Sequence, residues 1–240
     1  GNWFREQVEA HPEAKWRIAL VHKNIFSGSG HQEDEETPLF RATMLPIIRD
    51  CQIDVMLQGH DHCYEVIGPV DANTCTPILD AVKDVETVPV NVVNNMTGKK
   101  GGTFIVDDGA LYFIGATCGA KRYNPNHKLT MEADIDKHKV ENYYDLFTGM
   151  FCQPGAPSYS TFTVDGNTIT VNPYKVPRGK APELFNTFYI KRTKDHSTQT
   201  SDQKKALKIM QNGLVYIMHD NVTYNSIGQI VSNGNIANSR

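Results

Sequence analysis

The 240-residue sequence predicts an α+β chain: a strand–helix–strand unit followed by a β-rich remainder. Three observations carry that expectation. The apolar run "WRIALV" (16–21) ends in His22, and "IDVMLQ" (53–58) ends in Gly59–His60, so each reads as a buried strand closed by a polar turn. Between them, "LFRATMLPIIRDC" spaces Leu39, Met44, Leu45, Ile48 and Cys51 near a helical period, which makes the two strands a parallel pair with a crossover helix. After Val66 the helical spacing fades and short apolar runs separated by turn residues take over.

In chain order, "GNWFREQVEAHPEAKW" reads as an amphipathic helix in mid-fold, so the sequence is expected to belong to a larger protein, and the missing signal peptide says nothing about that parent. The Gly/Ser loop "FSGSGHQEDEET" follows His22, and its acidic run Glu33–Glu36 reads as a solvated face. Pro38 opens the crossover helix and Pro46 is expected to kink it. "CYEVIGPV" is a strand, as are "VPVNVV", "TFIV" and "ALYFIGATCG", with Asp107–Asp108–Gly109 a hairpin turn between the last two. "GKKGG" (98–102) reads as a mobile turn. Alternation on both sides of Asp165–Gly166–Asn167 predicts a hairpin, and "TFYIKR" a further strand. The expected organisation is a main body over 1–192, a polar linker over 193–205, and a β-hairpin extension over 206–240 whose two strands flank His219–Asp220–Asn221.

Composition narrows the function classes. Hydrophobic residues at 40% and charged residues at 21% match a soluble globular chain. A net charge of −3 without a basic run gives no support for nucleic acid or a membrane surface as partner. The apolar runs fall short of the roughly 18 residues a spanning helix needs. Five cysteines without CxxC spacing argue against a zinc knuckle; a Cys63–Cys75 bridge across a hairpin and five buried thiols are both open. Asn95-Met96-Thr97 and Asn221-Val222-Thr223 fit the glycosylation triplet, a pattern frequent by chance.

The chemistry gathers at "QGHDHCYE". Imidazoles at positions i and i+2 of an extended segment share a side, and histidine nitrogen suits zinc, iron and manganese. His22 closes the neighbouring strand, and the carboxyl ends of parallel strands are where α/β sheets collect their sites.

"WRIALVHKN" followed by "RATMLPIIRDCQIDVMLQGHDHCYE" resembles the second half of the calcineurin-like metallophosphoesterases, in their purple-acid-phosphatase-like branch. "GALYFIGATCGAKRYNP" and "PSYSTFTVDGNTITVNPYKV" resemble that family's later strand and closing hairpin, so the resemblance covers residues 3–177. It implies the C-terminal half of an αββα sandwich and a dimetal phosphoesterase that hydrolyses phosphomonoesters with metal-activated hydroxide. His22 and His60 match ligands of one metal, His62 a ligand of the other, and His31 the substrate-facing histidine that supplies a proton. The metals implied are two divalent or trivalent ions (Fe, Zn or Mn), the partner a phosphate ester, and the location secreted or periplasmic. At "HKN" the sequence departs from the family's pattern, where many relatives carry a second histidine and a proline.

The family's carboxylate motifs belong to the N-terminal half of the domain. No Gly-Asp dipeptide occurs, and Asp136–Lys137–His138 follows polar residues, not a strand. The chain alone is therefore expected to lack half of the metal site and to be inactive, and its orphaned sheet edge to favour a second copy. Asp61, between the two histidines, is expected to point away from the site. Rival readings are a phosphodiesterase or nucleotidase of the same superfamily and a degenerate binding domain. The tail "GLVYIMHDNVTYNSIGQIV" resembles short C-terminal segments of some Gram-negative secreted proteins, a plain β-hairpin appendage being the other reading.

Overall fold

In the computed structural model of the chain, residues 1–90, 94–124 and 143–196 are described, together with the backbone of four strands between residues 207 and 232. The strand–helix–strand expectation holds. β1 (Ile18–Leu20) pairs in parallel with β2 (Val55–Gln58), Ile18 opposite Val55 and Leu20 opposite Leu57, and two helices belong to the same layer: α1 (Asn2–Ala10) and the crossover helix α2 (Glu36–Asp50). α2 runs through Pro46 and buries Met44, Leu45 and Ile48 against Ala19, Met56 and Tyr112, which all point to one face of the sheet.

Five further strands bring the remaining sequence onto this frame: β3 (Tyr64–Asp71), β4 (Thr76–Pro77), β5 (Val82–Thr87), β6 (Lys99–Ile105) and β7 (Ala110–Gly115). β7 adds to β2 in parallel and β3 to β7 antiparallel, so the first sheet runs β1-β2-β7-β3-β4, with the short β8 (Phe151–Cys152) also on β3. β9 (Ser158–Asp165) and β10 (Thr168–Lys175) form the expected hairpin, closed by Gly166–Asn167. With β11 (Glu183–Leu184) and β12 (Phe188–Lys191) they build a second sheet, β11-β10-β12-β6-β5, with β9 on the outer side of β10. A second core of Val55, Val66, Leu111, Phe113, Val171, Phe188 and Ile190 lies between the sheets. The result is a helix–sheet–sheet stack, the α+β class the sequence predicts.

Several expectations are corrected. "TFIV" and "ALYFIG" do not form a hairpin, because β6 belongs to the second sheet and β7 to the first. The reason is burial. β7 is buried along nearly its whole length, as a strand between two apolar layers must be, whereas β6 alternates. "GKKGG" is not a mobile turn but the start of β6. "VPVNVV" makes no strand over 88–90, and 91–93 lie outside the described residues. No disulfide forms: Cys63 and Cys75 are free, buried thiols, and Cys63 Sγ donates to the Tyr123 carbonyl. Asn95 is fully buried, with Nδ2 donating to the Lys99 carbonyl at 2.9 Å, so that triplet offers no acceptor amide. Asn221 and Asp136–His138 lie outside the described residues. No helix among the described residues is long and apolar enough to cross a membrane.

The chain divides into two compact units, Gly1–His196 and Ser197–Arg240. The second unit contains an antiparallel sheet β13 (Leu207–Gln211), β14 (Leu214–His219), β15 (Val222–Asn225) and β16 (Ile230–Ser232); β14 and β15 are the pair read around His219.

Residues 193–196, read as part of a loose linker, are pinned to the body. Asp54, at the foot of β2, is 2% exposed; its Oδ2 accepts the Arg17 N–H at 2.7 Å, and its Oδ1 accepts Arg192 Nη1 at 3.0 Å. His196 Nε2 lies 3.1 Å from both oxygens, and Thr193 N–H donates to Asp107 at 2.8 Å. Burial pushes the Asp54 carboxyl up to about 7 against the pull of its donors. Burial, with Arg17 and Arg192 close by, holds His196 down at about 4, so its imidazole is neutral at neutral pH.

Removing one member of a buried ion pair strands the other charge. Arg192→Ala is expected to lower stability by about 3–5 kcal/mol, read from urea unfolding of the chain. A loss under about 1 kcal/mol would show that the Arg17 N–H and His196 satisfy Asp54 by themselves.

Candidate metal centre

The parallel ladder delivers its histidines to one end of the sheet. Val21 N–H still donates to the Leu57 carbonyl, so the chain leaves β1 at His22 beside the place where it leaves β2 at Gly59. Gly59 N–H then donates to the His22 carbonyl at 3.1 Å, and a Cβ on Gly59 would stand 3.2 Å from His22 Nδ1. This close approach is why a glycine precedes the histidines. The next residue, His60, takes φ 71°, a left-handed conformation that costs a branched or bulky L-residue free energy and clusters at functional sites. The His22 and His60 rings meet edge-on, centroids 5.3 Å apart.

His62 points into the same region. Its Nδ1 lies 2.8 Å from the Lys121 carbonyl, which can only accept, so Nδ1 carries the proton and Nε2 keeps its lone pair. The ring stacks on Tyr123 at 4.8 Å. Burial, then the neighbouring His31 and His22, lower the His60 pKa and favour its neutral, ligating form. His22, His60 and His62 line an open cleft of roughly 380 Å3 shared with Thr117, Cys118, Ser160 and Phe162, and the Ser160 hydroxyl is buried without a hydrogen-bond partner.

His31 arrives from the other side. Its ring lies 3.8 Å from that of His60, its Nδ1 is 3.0 Å from Asp34 Oδ2, and its Nε2 is 3.4 Å from the Tyr123 hydroxyl. Asp34 Oδ2 is also 3.8 Å from His60 Nε2. The acidic run is thus not simply a solvated face, because one of its carboxylates turns inward between two histidines. Nothing in the sequence separated Asp34 from its acidic neighbours; its position three residues after His31, on the same side of a 3-10 turn, was the available signal.

The loop carrying His31 rests on a buried acidic layer. Asp61 does turn from the cleft: its carboxylate accepts the Ser27 hydroxyl and, at 3.4 Å, the His31 N–H. Glu65, fully buried, accepts Gly28 N–H at 2.9 Å and faces Ser27 Oγ at 3.4 Å. Burial, then the Asp61 charge, drive the Glu65 carboxyl well above its ordinary value, and burial raises Asp61 as well. Gln58 completes the support, donating to the Phe26 carbonyl and accepting the Ile25 and Phe26 N–H groups.

No family model matches the chain. Purple acid phosphatase 3 of Arabidopsis thaliana is 38% identical over 60 residues, 25% of this chain and 16% of that protein. Purple acid phosphatase 4 of the same plant is 36% identical over 55 residues, 23% of this chain and 15% of the relative. Over that segment the chain is related to the purple acid phosphatases. The matched segment spans about a sixth of either relative's length. Among solved structures, the purple acid phosphatase PPD1 from yellow lupin seeds aligns with a TM-score of 0.47 and 17% identity, over 80% of this chain and 28% of that one.

A carboxyl whose pKa is raised on folding binds a proton that the unfolded chain releases. Its contribution is full below the ordinary carboxylate pKa and is lost as pH rises through the raised one. Stability is therefore expected to fall across the acid-to-neutral range by up to about 1.4 kcal/mol per pH unit for one proton. Glu65→Gln, which keeps an acceptor for Gly28 N–H, is expected to flatten that component. Urea unfolding of both proteins across this range checks it, and equal slopes would assign the proton elsewhere.

Proposed function

We propose that the chain is part of a dimetal-dependent phosphoesterase that hydrolyses phosphomonoesters. The observation that supports this most is the convergence of His22, His60 and His62, from the ends of two adjacent parallel strands, on the wall of one open cleft. The donor set fits the group: His62 offers a free Nε2, burial keeps His60 neutral, and imidazole nitrogen suits Fe, Zn or Mn. His22 and His60 would hold one ion and His62 the other. Two such ions would supply Lewis acidity toward a phosphoryl group and lower the pKa of a water between them.

The chain's own residues supply the rest. His31, beside His60 and hydrogen-bonded at Nδ1 to Asp34, donates a proton to the departing oxygen. The Asp34 carboxylate, 3.0 Å from Nδ1, fixes the ring's orientation. Ser160 lines the same cleft, with its hydroxyl buried behind the wall and without a hydrogen-bond partner. Neutral imidazoles cannot offset two multivalent cations, so carboxylates from the N-terminal half of such a domain complete the centre. In this reading the parent is secreted or periplasmic and the substrate is a phosphate ester. In this reading the edge strand β1, with Ile18 44% and Leu20 80% exposed, pairs with the carboxylate-bearing half of such a domain or with a second copy.

Residues 1–240 alone are expected to give negligible turnover of an aryl phosphate. In a longer polypeptide bearing the carboxylates, His22→Ala, His60→Ala and His62→Ala are each expected to lower metal content and turnover together. His31→Ala is expected to keep the two catalytic ions but lose about 10²–10⁴-fold in rate on alkyl phosphates, whose leaving groups need the proton, and less on activated aryl phosphates. Equal losses on both substrate types would remove His31 from the donor role, and full activity of any ligand variant would remove that ligand.

A further inference from the structure

We infer that, in the chain as it stands, His31, Asp34 and His60 form a mononuclear divalent-cation site; it shares His60 with the proposed dimetal centre, so the two ligand sets exclude one another, and Asp34 and His31 are the ligands particular to it. Among the described residues, this is the group of three histidine, cysteine or carboxylate side chains whose ligand atoms all lie within 4.8 Å of one another. The spacing suits a small ion. Ligands about 2.0–2.1 Å from Zn2+ stand about 3.4 Å apart on a tetrahedron. Asp34 Oδ2 lies 3.0 Å from His31 Nδ1 and 3.8 Å from His60 Nε2, which brackets that value.

Charge and support point the same way. One carboxylate with two neutral imidazoles leaves a bound divalent ion with a single net positive charge, which three imidazoles would not. The nearby cation Lys23 is engaged by Glu36 and does not compete for Asp34. With Nδ1 on the ion, His31 Nε2–H would donate to the Tyr123 hydroxyl, now 3.4 Å away, and so fix the ring's tautomer. The backbone is already set: Thr37 Oγ1 donates to the His31 carbonyl at 2.9 Å, and Thr37 N–H to the Asp34 carbonyl at 2.9 Å. Side-chain exposures of 29% for both histidines and 33% for Asp34 leave room for water to fill the remaining coordination position. Two nitrogens and one carboxylate oxygen suit zinc or cobalt better than magnesium or calcium. The inference goes beyond the phosphoesterase reading, because a chain with no such activity would bind the ion equally well.

The test uses chelator-treated chain 1–240, titrated with Zn2+ by calorimetry and with Co2+ by visible absorption. One ion per chain is expected. Asp34→Asn and His31→Gln, whose folding is checked by circular dichroism, are each expected to weaken Zn2+ binding by more than about 100-fold, and Tyr123→Phe by about 10-fold. His11→Ala, which removes an exposed imidazole paired with Glu13, is expected to leave the affinity within about threefold. The inference is overturned if Zn2+ does not bind, or if binding survives Asp34→Asn and is lost with His22→Ala or His62→Ala.

Discussion

One backbone hydrogen bond, from Gly59 N–H to the His22 carbonyl, governs the functional end of this chain. It extends the parallel β1–β2 ladder by one step past the last paired residues. The two histidine-bearing turns therefore leave the sheet side by side instead of diverging. The glycine allows the approach, and the left-handed backbone of His60 follows from it, since the chain must turn sharply once Gly59 is held. Both β1 and β2 are short, so the alignment rests on what packs against them: α2 on one face of the sheet and the second sheet on the other.

Below this junction the loop from Asn24 to His31 has little regular structure of its own, and side chains from β2, β3 and the turn between them hold it. Gln58 fastens its beginning, and Asp61 and Glu65 fasten its middle. Gly28 is needed because a Cβ there would come within 2.8 Å of the Phe147 ring, itself stacked on Phe151 at 4.5 Å. A buried acidic pair is a costly way to hold a loop. Raised carboxyl pKa values reduce that cost, because a protonated acid can be buried with far less loss of solvation than an anion.

The parts of the fold written in short-range periodicity were legible in the sequence. The apolar runs before His22 and Gly59, the helical spacing between them and the alternation around Asp165–Asn167 all became the expected elements. The split of β6 and β7 between sheets was not legible, since two apolar runs joined by Asp107–Asp108–Gly109 fit a hairpin equally well. Only the neighbours of each strand decide, and they come from distant sequence. The histidines at 60 and 62 announced themselves by spacing, and His31 entered through the family resemblance. Asp34 was hidden by its acidic neighbours, and the Asp54–Arg192 pair by the 138 residues between its members.

That separation bears on the order in which the chain is made. The strand–helix–strand unit is made before the segment that completes its foot, and among the described residues its own donor to the Asp54 side chain is the Arg17 N–H. The guanidinium that neutralises the carboxylate follows 138 residues later, and His196 after 142. At about 5–20 residues per second, the gap for Arg192 is about 7–28 s. During it Asp54 lacks the guanidinium that pairs with it in the folded chain. The set of partners around Asp54 is therefore complete only once Arg192 and His196 have been made.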